Sequence, residues 1–393
     1  MESRFEAREV SPGLFTAAYV GFAFSVGAAW FVLAPMVPQL IRQLHTSLGS
    51  VLLFLSLYGF AMIVFSLPAA WWARKDGIAP VLRTAIVLSF IGLFGRIFAF
   101  SYDWFFVAQA IAAVAYPLLI SPIGAVILQV QIKHIKTVTG LAIGMLFLGM
   151  AAGSYVGPTL LQNFGFTGAL AIVSAVNLVA GVFLFIALNH LPHKEQRQVD
   201  EQRIVFGSPR WWWVGFAIAS TSVMFGGIAV SVLLHLHIPD AVKLGGTLTA
   251  LTFIGSGIGA IGFPLLADFF GHSGIWQSVL MGLTTLFSLF VVLEFTGGFV
   301  VSVSTLQWIF LLLGFFGNGC YALALGATAE MAREIHKAGV QTAGFSMASN
   351  VGVALLPPLV GPLVITFPAG FGVITLAILI LATGNVVLNA RRT

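Results

Sequence analysis

TVTGLAIGMLFLGMAAGSYVGPTLLQNFGFTGALAIVSAVNLVAGVFLFIALNHLPH, residues 137–193, contains no Asp, Glu, Lys or Arg. A helix that crosses a bilayer needs about 20 apolar residues. The stretch therefore holds two such helices and a turn, and Gln162-Asn163-Phe164-Gly165 supplies the turn. Residues 338–390 repeat the pattern, again without a charge, and turn at Thr366-Phe367-Pro368-Ala369-Gly370. A water-soluble fold could hide neither hairpin.

The remainder of the chain agrees. Charged residues make up 8% of it, against about 25% in soluble domains. Backbone groups in lipid must be paired internally, so spans are helices or closed barrels. Barrel strands alternate in polarity over about ten residues, whereas these apolar runs are longer and do not alternate. The class is all-α integral membrane. The 43 glycines suit close helix packing in lipid. One cysteine, Cys320, leaves no internal disulfide and no multi-cysteine metal site. Met1–Ser11 is of mixed charge and leads into a full span, so we expect no cleavable signal peptide.

Charge breaks and turn residues predict twelve transmembrane helices in two six-helix bundles. The first bundle holds 13–40, 48–73, 81–100, 104–130, 138–161 and 167–189. The second holds 211–236, 246–267, 275–295, 303–329, 340–364 and 368–389. The expected units are residues 1–190, a cytoplasmic linker at 191–210 rich in Lys, Glu, Gln and Arg, and residues 211–393. Of the Lys and Arg residues, Arg42 and Lys243 fall on the side away from the termini and Arg96 within a span. All the rest fall on the terminal side. The positive-inside rule then puts both termini in the cytoplasm of a multi-pass cell-membrane protein. The net charge of +5 is thereby a topology signal, with no nucleic-acid partner implied.

The halves echo each other. Gly140, Gly157-Pro158 and the preceding Lys133 recur as Gly344, Gly361-Pro362 and Lys337, each 204 residues on. Internal repeats of this kind mark secondary transporters. A second echo joins the loop after the second span of each half. One copy ends Ala70-Trp71-Trp72-Ala73-Arg74-Lys75-Asp76-Gly77, the other Pro264-Leu265-Leu266-Ala267-Asp268-Phe269-Phe270-Gly271. These resemble the cytoplasmic loop motif G-x-x-x-D-R-x-G-R-K of the major facilitator superfamily. Asp268, Gly271, Lys75 and Gly77 stand at motif positions. Pro264 replaces the leading glycine, and Arg74 stands where the first-half Asp would be. The resemblance implies two bundles that rock about a midplane site lined mainly by spans one, four, seven and ten. It implies a cytoplasmic latch at Lys75, Gly77, Asp268 and Gly271. Gly157, Pro158, Gly361 and Pro362 are gating candidates, because proline bends or ends a helix and so allows two packings. The simpler reading of Pro158 and Pro362 is that each ends its span.

Ionisable residues at membrane depth are functional candidates, and this chain has almost none. Arg96 lies about 15 residues into its predicted span, roughly 20 Å from the cytoplasmic end. Either it meets an anionic group, or it snorkels to the outer surface and pairs with Asp103. His235 and His237 lie two apart and so do not face each other on a helix, which argues against a metal site. Polar residues near span midpoints complete the candidate substrate site: Ser25, Tyr58, Tyr116, Asn318, Tyr321 and Asn350. Each pairs across helices or contacts substrate. Trp30, Phe24 and Phe225 add aromatic surface.

The expected function is a secondary active transporter, most simply a monomer, for a small organic solute. A neutral or anionic solute is favoured, with a proton or sodium as coupling ion. The alternatives are an efflux transporter for lipophilic compounds and a transporter-fold sensor. An enzyme would need converging nucleophiles, acids or metal ligands at membrane depth, and the sequence offers none. No Walker-type nucleotide motif is present, and no cofactor or metal is expected.

Overall fold

With no water to bond their backbone, the apolar stretches fold as helices. A computed structural model of the chain describes residues 12–98, 101–129, 135–189, 209–270, 273–297, 301–331 and 335–390, and every long element in them is helical. The first half contains α1 (Pro12–Phe31), α2 (Val37–Gln43), α3 (Leu48–Asp76), α4 (Ile78–Ile97), α5 (Tyr102–Ile120), α6 (Ile123–Gln129) and α7 (Ile135–Leu188). The second contains α8 (Pro209–His235), α9 (Ala241–Phe270), α10 (Ser273–Phe295), α11 (Val303–Met331), α12 (Ile335–Val360), α13 (Leu363–Thr366) and α14 (Pro368–Ala390). Among the described residues, 10 helical stretches are long and apolar enough to cross a membrane. The longest, within α7, is two rods joined at Gly165, whose φ of 67° breaks the helix inside the predicted turn. The predicted linker at 191–210 lies almost wholly outside the described residues, as do Lys133, Gly271 and the side chain of Lys337.

Two predicted spans are not continuous. The first stops at Phe31 and resumes at Val37, and i→i−3 bonds from Ala34 to Phe31 and from Met36 to Leu33 fill the gap. Pro35 explains it, since proline lacks a backbone donor and cannot continue the helical ladder; Pro38 sits in the first turn of α2, where no donor is needed. The fourth breaks at Ser121-Pro122, between α5 and α6, for the same reason. The repeated Gly-Pro pairs behave differently from each other. α7 runs straight through Pro158, so Pro158 ends nothing. α12 stops at Val360, and Pro362 begins the short α13.

Within the first half α1 packs on α7, and α4 and α3 on α5. Within the second, α9 packs on α11 and α8 on α12, while α10 lies between α11 and α14. The halves meet along two seams, α7 against α9 and α3 against α12. Small residues set these distances. A methyl group on Gly59 would lie 2.7 Å from the backbone nitrogen of Ala354 across the α3–α12 seam.

Hydrogen bonds between helices fix the rotation of the rods. Asn177 donates to Ser25 at 2.9 Å and accepts from Ser89 at 2.9 Å, tying α7, α1 and α4 together. Asn318 donates to Ser256 at 2.7 Å between α11 and α9. The bundle's outer surface carries large apolar side chains such as Phe183, Trp308 and Leu359. That is the surface a helix presents to hydrocarbon.

Candidate functional site

The halves contribute aromatic and amide side chains to one place. Trp30, in the last turn of α1, donates its indole N–H to the Leu55 carbonyl at 2.9 Å. Thus fixed, its ring stacks on Tyr58 of α3, with centroids 4.4 Å apart and planes 6° from parallel. Tyr116 of α5 closes the group at 5.3 Å from Trp30. From the second half, Asn350 of α12 and Tyr321 of α11 lie near enough to Tyr116 to interact with it electrostatically. Tyr321 in turn reaches Ser349 and sets its ring edge-on to Phe345 at 5.2 Å.

Arg96 borders this cluster. It occupies the last turn of α4 and is fully buried. Its Nη1 donates to the Ala29 carbonyl of α1 and to Oε1 of Gln109 of α5, both at 2.9 Å. Gln109 is itself held, donating through Nε2 to the Phe54 carbonyl of α3 at 3.2 Å. Among the described residues, the Nε and Nη2 groups of Arg96 have no hydrogen-bond partner. Tyr58 lies within electrostatic reach of the guanidinium. Among the described residues Arg96 is the one buried side chain that carries a charge. It neither snorkels nor turns to Asp103, which sits instead in the first turn of α5. There a carboxylate complements the positive end of its own helix.

The sequence matches the model of the Major Facilitator Superfamily over residues 20–303. The chain belongs to the major facilitator superfamily. Its structure is similar to the crystal structure of a bacterial homologue of the iron transporter ferroportin in the outward-facing state. The TM-score is 0.70 at 13% identity, covering 96% of this chain and 99% of the other. At that identity the likeness is one of fold. No curated protein matches the sequence. The chain is thus a multi-pass membrane protein with the fold of a secondary transporter, and the superfamily implies a small-molecule substrate.

Within this major facilitator fold the expected site residues divide into two groups. Tyr58, Tyr116, Tyr321 and Asn350 come together where the halves meet, and Arg96 borders them within the first half. Ser25 and Asn318 lie elsewhere, in the interhelical pairs with Asn177 and Ser256. Of the latch residues, Lys75 is exposed in the last turn of α3. Gly77 adopts a φ of 84° between α3 and α4, a backbone region that favours glycine. Gly271 and the side chain of Asp268 lie outside the described residues. Gly157 abuts Pro35 of the α1–α2 break, and Gly361 and Pro362 form the corner between α12 and α13. His235 and His237 are exposed. Arg42 donates to Gln39 at 3.0 Å.

Gln109 was not foreseen. It is an amide in an otherwise apolar run, Val107-Ala108-Gln109-Ala110, but it lies away from the span midpoint. Screening every buried-span amide, rather than midspan ones alone, would have found it.

Proposed function

We propose that the protein is a secondary active transporter that moves a small organic solute, neutral or anionic, across the cytoplasmic membrane by alternating access. In this reading twelve helices form two bundles, residues 1–190 and 211–393, joined by a cytoplasmic linker at 191–210. Both termini are cytoplasmic, and a proton or sodium ion couples transport. The spans are the helices described above, with α7 counted as two and α8 included. The meeting of Tyr58 and Tyr116 with Tyr321 and Asn350 carries the proposal. A group supplied by both halves at their junction is remade when the halves move, which is what coupling a solute to a conformational change requires. The ferroportin homologue's iron does not transfer readily. Among the described residues no three His, Cys, Asp or Glu side chains come together, and iron sites are built from such ligands.

Two measurements test the reading. Because Cys320, the chain's one cysteine, is buried, an engineered cysteine can be labelled cleanly. A cysteine at residue 200 should react with an impermeant reagent from the inside of sealed cells; reaction from the outside would overturn the topology. In proteoliposomes holding a panel of neutral and anionic solutes, we expect saturable uptake of at least one. Asn350→Ala should cut that uptake by about two- to tenfold, since the loss of one buried polar interaction is worth about 0.5–1.5 kcal/mol. Uptake that saturates for no solute, or full activity in Asn350→Ala, would count against the site.

A further inference from the structure

A guanidinium has five N–H donors arranged as two forks. In Arg96 the Nη1 side is taken up by the Ala29 carbonyl and Gln109. The two groups without a partner, Nε and Nη2, are neighbours on one edge of the plane. Their N–H bonds run nearly parallel, about the spacing of the two oxygens of a carboxylate. The chain therefore holds one fork shut and leaves the other, oxygen-matching fork unused.

Charge points the same way. A buried cation is strongly disfavoured unless it is paired. Among the described residues no Asp or Glu is buried, so none supplies the countercharge. Nor is a second Lys or Arg buried with it, so the place carries a single positive charge. A monoanion neutralises it, whereas a phosphate dianion would leave a buried negative charge. Tyr58 lies within electrostatic reach of Arg96 and stacks on Trp30, with Tyr116 against them. These offer apolar surface to the body of an organic molecule.

We infer that the Nε/Nη2 edge of Arg96 is the docking point for the carboxylate of an organic monoanion, whose body packs against Trp30 and Tyr58. The inference rests on the transporter reading and narrows its solute to a monocarboxylate. Gln109 is a positioning residue. It holds Arg96 so that the unused edge, not the Nη1 side, meets the solute.

The test uses the purified full-length chain and thermal unfolding, because a ligand of the folded state raises its apparent stability. Benzoate and acetate are the probes. Benzamide, which has the same shape as benzoate without the charge, and inorganic phosphate are the controls. At least one carboxylate should raise the unfolding temperature saturably, and the controls should not. Arg96→Gln should weaken that response about 10- to 100-fold, the range expected for a hydrogen bond to a charged group. Arg96→Lys should weaken it too, since it keeps the charge but lacks the fork. Gln109→Glu decides the matter if Arg96→Gln fails to fold. It keeps an acceptor for Arg96 Nη1, gives up the bond to the Phe54 carbonyl, and supplies an internal carboxylate. It should lose the carboxylate response.

The inference is overturned if neither carboxylate stabilises the parent chain, or if benzoate stabilises Gln109→Glu as well as the parent. Saturable uptake of a neutral solute, undiminished in Arg96→Gln, would overturn the monocarboxylate and leave the transporter standing. Failure of every solute to enter proteoliposomes would instead strike the transporter reading itself.

Discussion

Gly149→Ala is expected to destabilise the fold by about 3 kcal/mol or more, although it adds a single methyl group and alanine is the better helix former. Gly149 lies on the face of α7 that packs against α1. A methyl group there would overlap the Phe24 carbonyl oxygen and approach the Phe24 Cα to 2.9 Å. Both are backbone atoms, so no rotamer change relieves the clash and the two helices must separate. Gly27 of α1 and Gly153 of α7 face backbone of the partner helix in the same way. Separation would therefore be felt along the whole contact. Overpacking a tight contact costs typically about 1–3 kcal/mol, and a clash between two rigid backbones belongs at or above the top of that range. Total stability is itself about 5–15 kcal/mol. Gly21, on α1, is the internal control. Nothing lies within 4 Å of its added methyl group, so Gly21→Ala should hold or gain up to about 1 kcal/mol from helix propensity. Thermal unfolding of detergent-solubilised protein checks both. Equal tolerance of the two substitutions would show that α1 and α7 do not pack as described.

The contrast between these two glycines shows where reading a sequence stops. Charge-free runs at 137–193 and 338–390 make the membrane helices plain, because a bilayer leaves the backbone few options. Which glycine touches a neighbour depends on rotation of the rod, and in an all-apolar helix no polar face reports that rotation. The breaks at Pro35 and at Pro122 were hidden for a related reason. Proline is tolerated in membrane helices when neighbours re-satisfy the freed groups. Pro158 shows this tolerance within α7, and Pro35 does not. Polar residues were equally ambiguous. Ser25 and Tyr58 both read as midspan polar groups needing partners. Asn177 of the same half satisfies Ser25, while Tyr58 joins the cluster at the junction. Arg96 had two open readings, and its partners remove one of them, the outward turn towards Asp103. They are a carbonyl on α1 and an amide on α5, and neither could be paired with it before the helices were assembled.

The same assembly places Arg96 away from the middle of the bilayer. It is 18 residues along α4, about 27 Å from that helix's start at 1.5 Å per residue. Tyr116 lies 14 residues along α5, about 21 Å from the opposite end. The guanidinium thus sits nearer the face away from the termini, and Tyr116 lies deeper. A solute entering from that face would meet the charge first and the junction of the halves second. This order suits a transporter in which charge selects and the junction responds.

The second large effect concerns the seam between α7 and α9, which is tight at both ends. Near the terminal face a methyl group on Gly140 would lie 2.8 Å from the Ala260 carbonyl oxygen. Near the other face a methyl group on Gly246 would lie 2.9 Å from the Ser154 carbonyl oxygen and 3.2 Å from Pro158. Gly140 and Ser154 are 14 residues apart on α7, about 21 Å along the helix, so the seam covers most of a bilayer's hydrocarbon thickness. Alternating access requires one end to part while the other stays shut. A leucine at Gly246 should therefore prop open the face away from the termini, and a leucine at Gly140 the terminal face. Each should reduce transport to background, because a transporter that cannot close one side cannot complete a cycle. Their effects on access should be opposite. A cysteine at Tyr58, at the junction of the halves, should react faster than the parent's with an impermeant reagent from outside sealed cells in Gly246→Leu. In Gly140→Leu it should react more slowly from outside and faster in inside-out vesicles. The same change of access in both variants would mean that the seam does not act as two gates, and would count against alternating access.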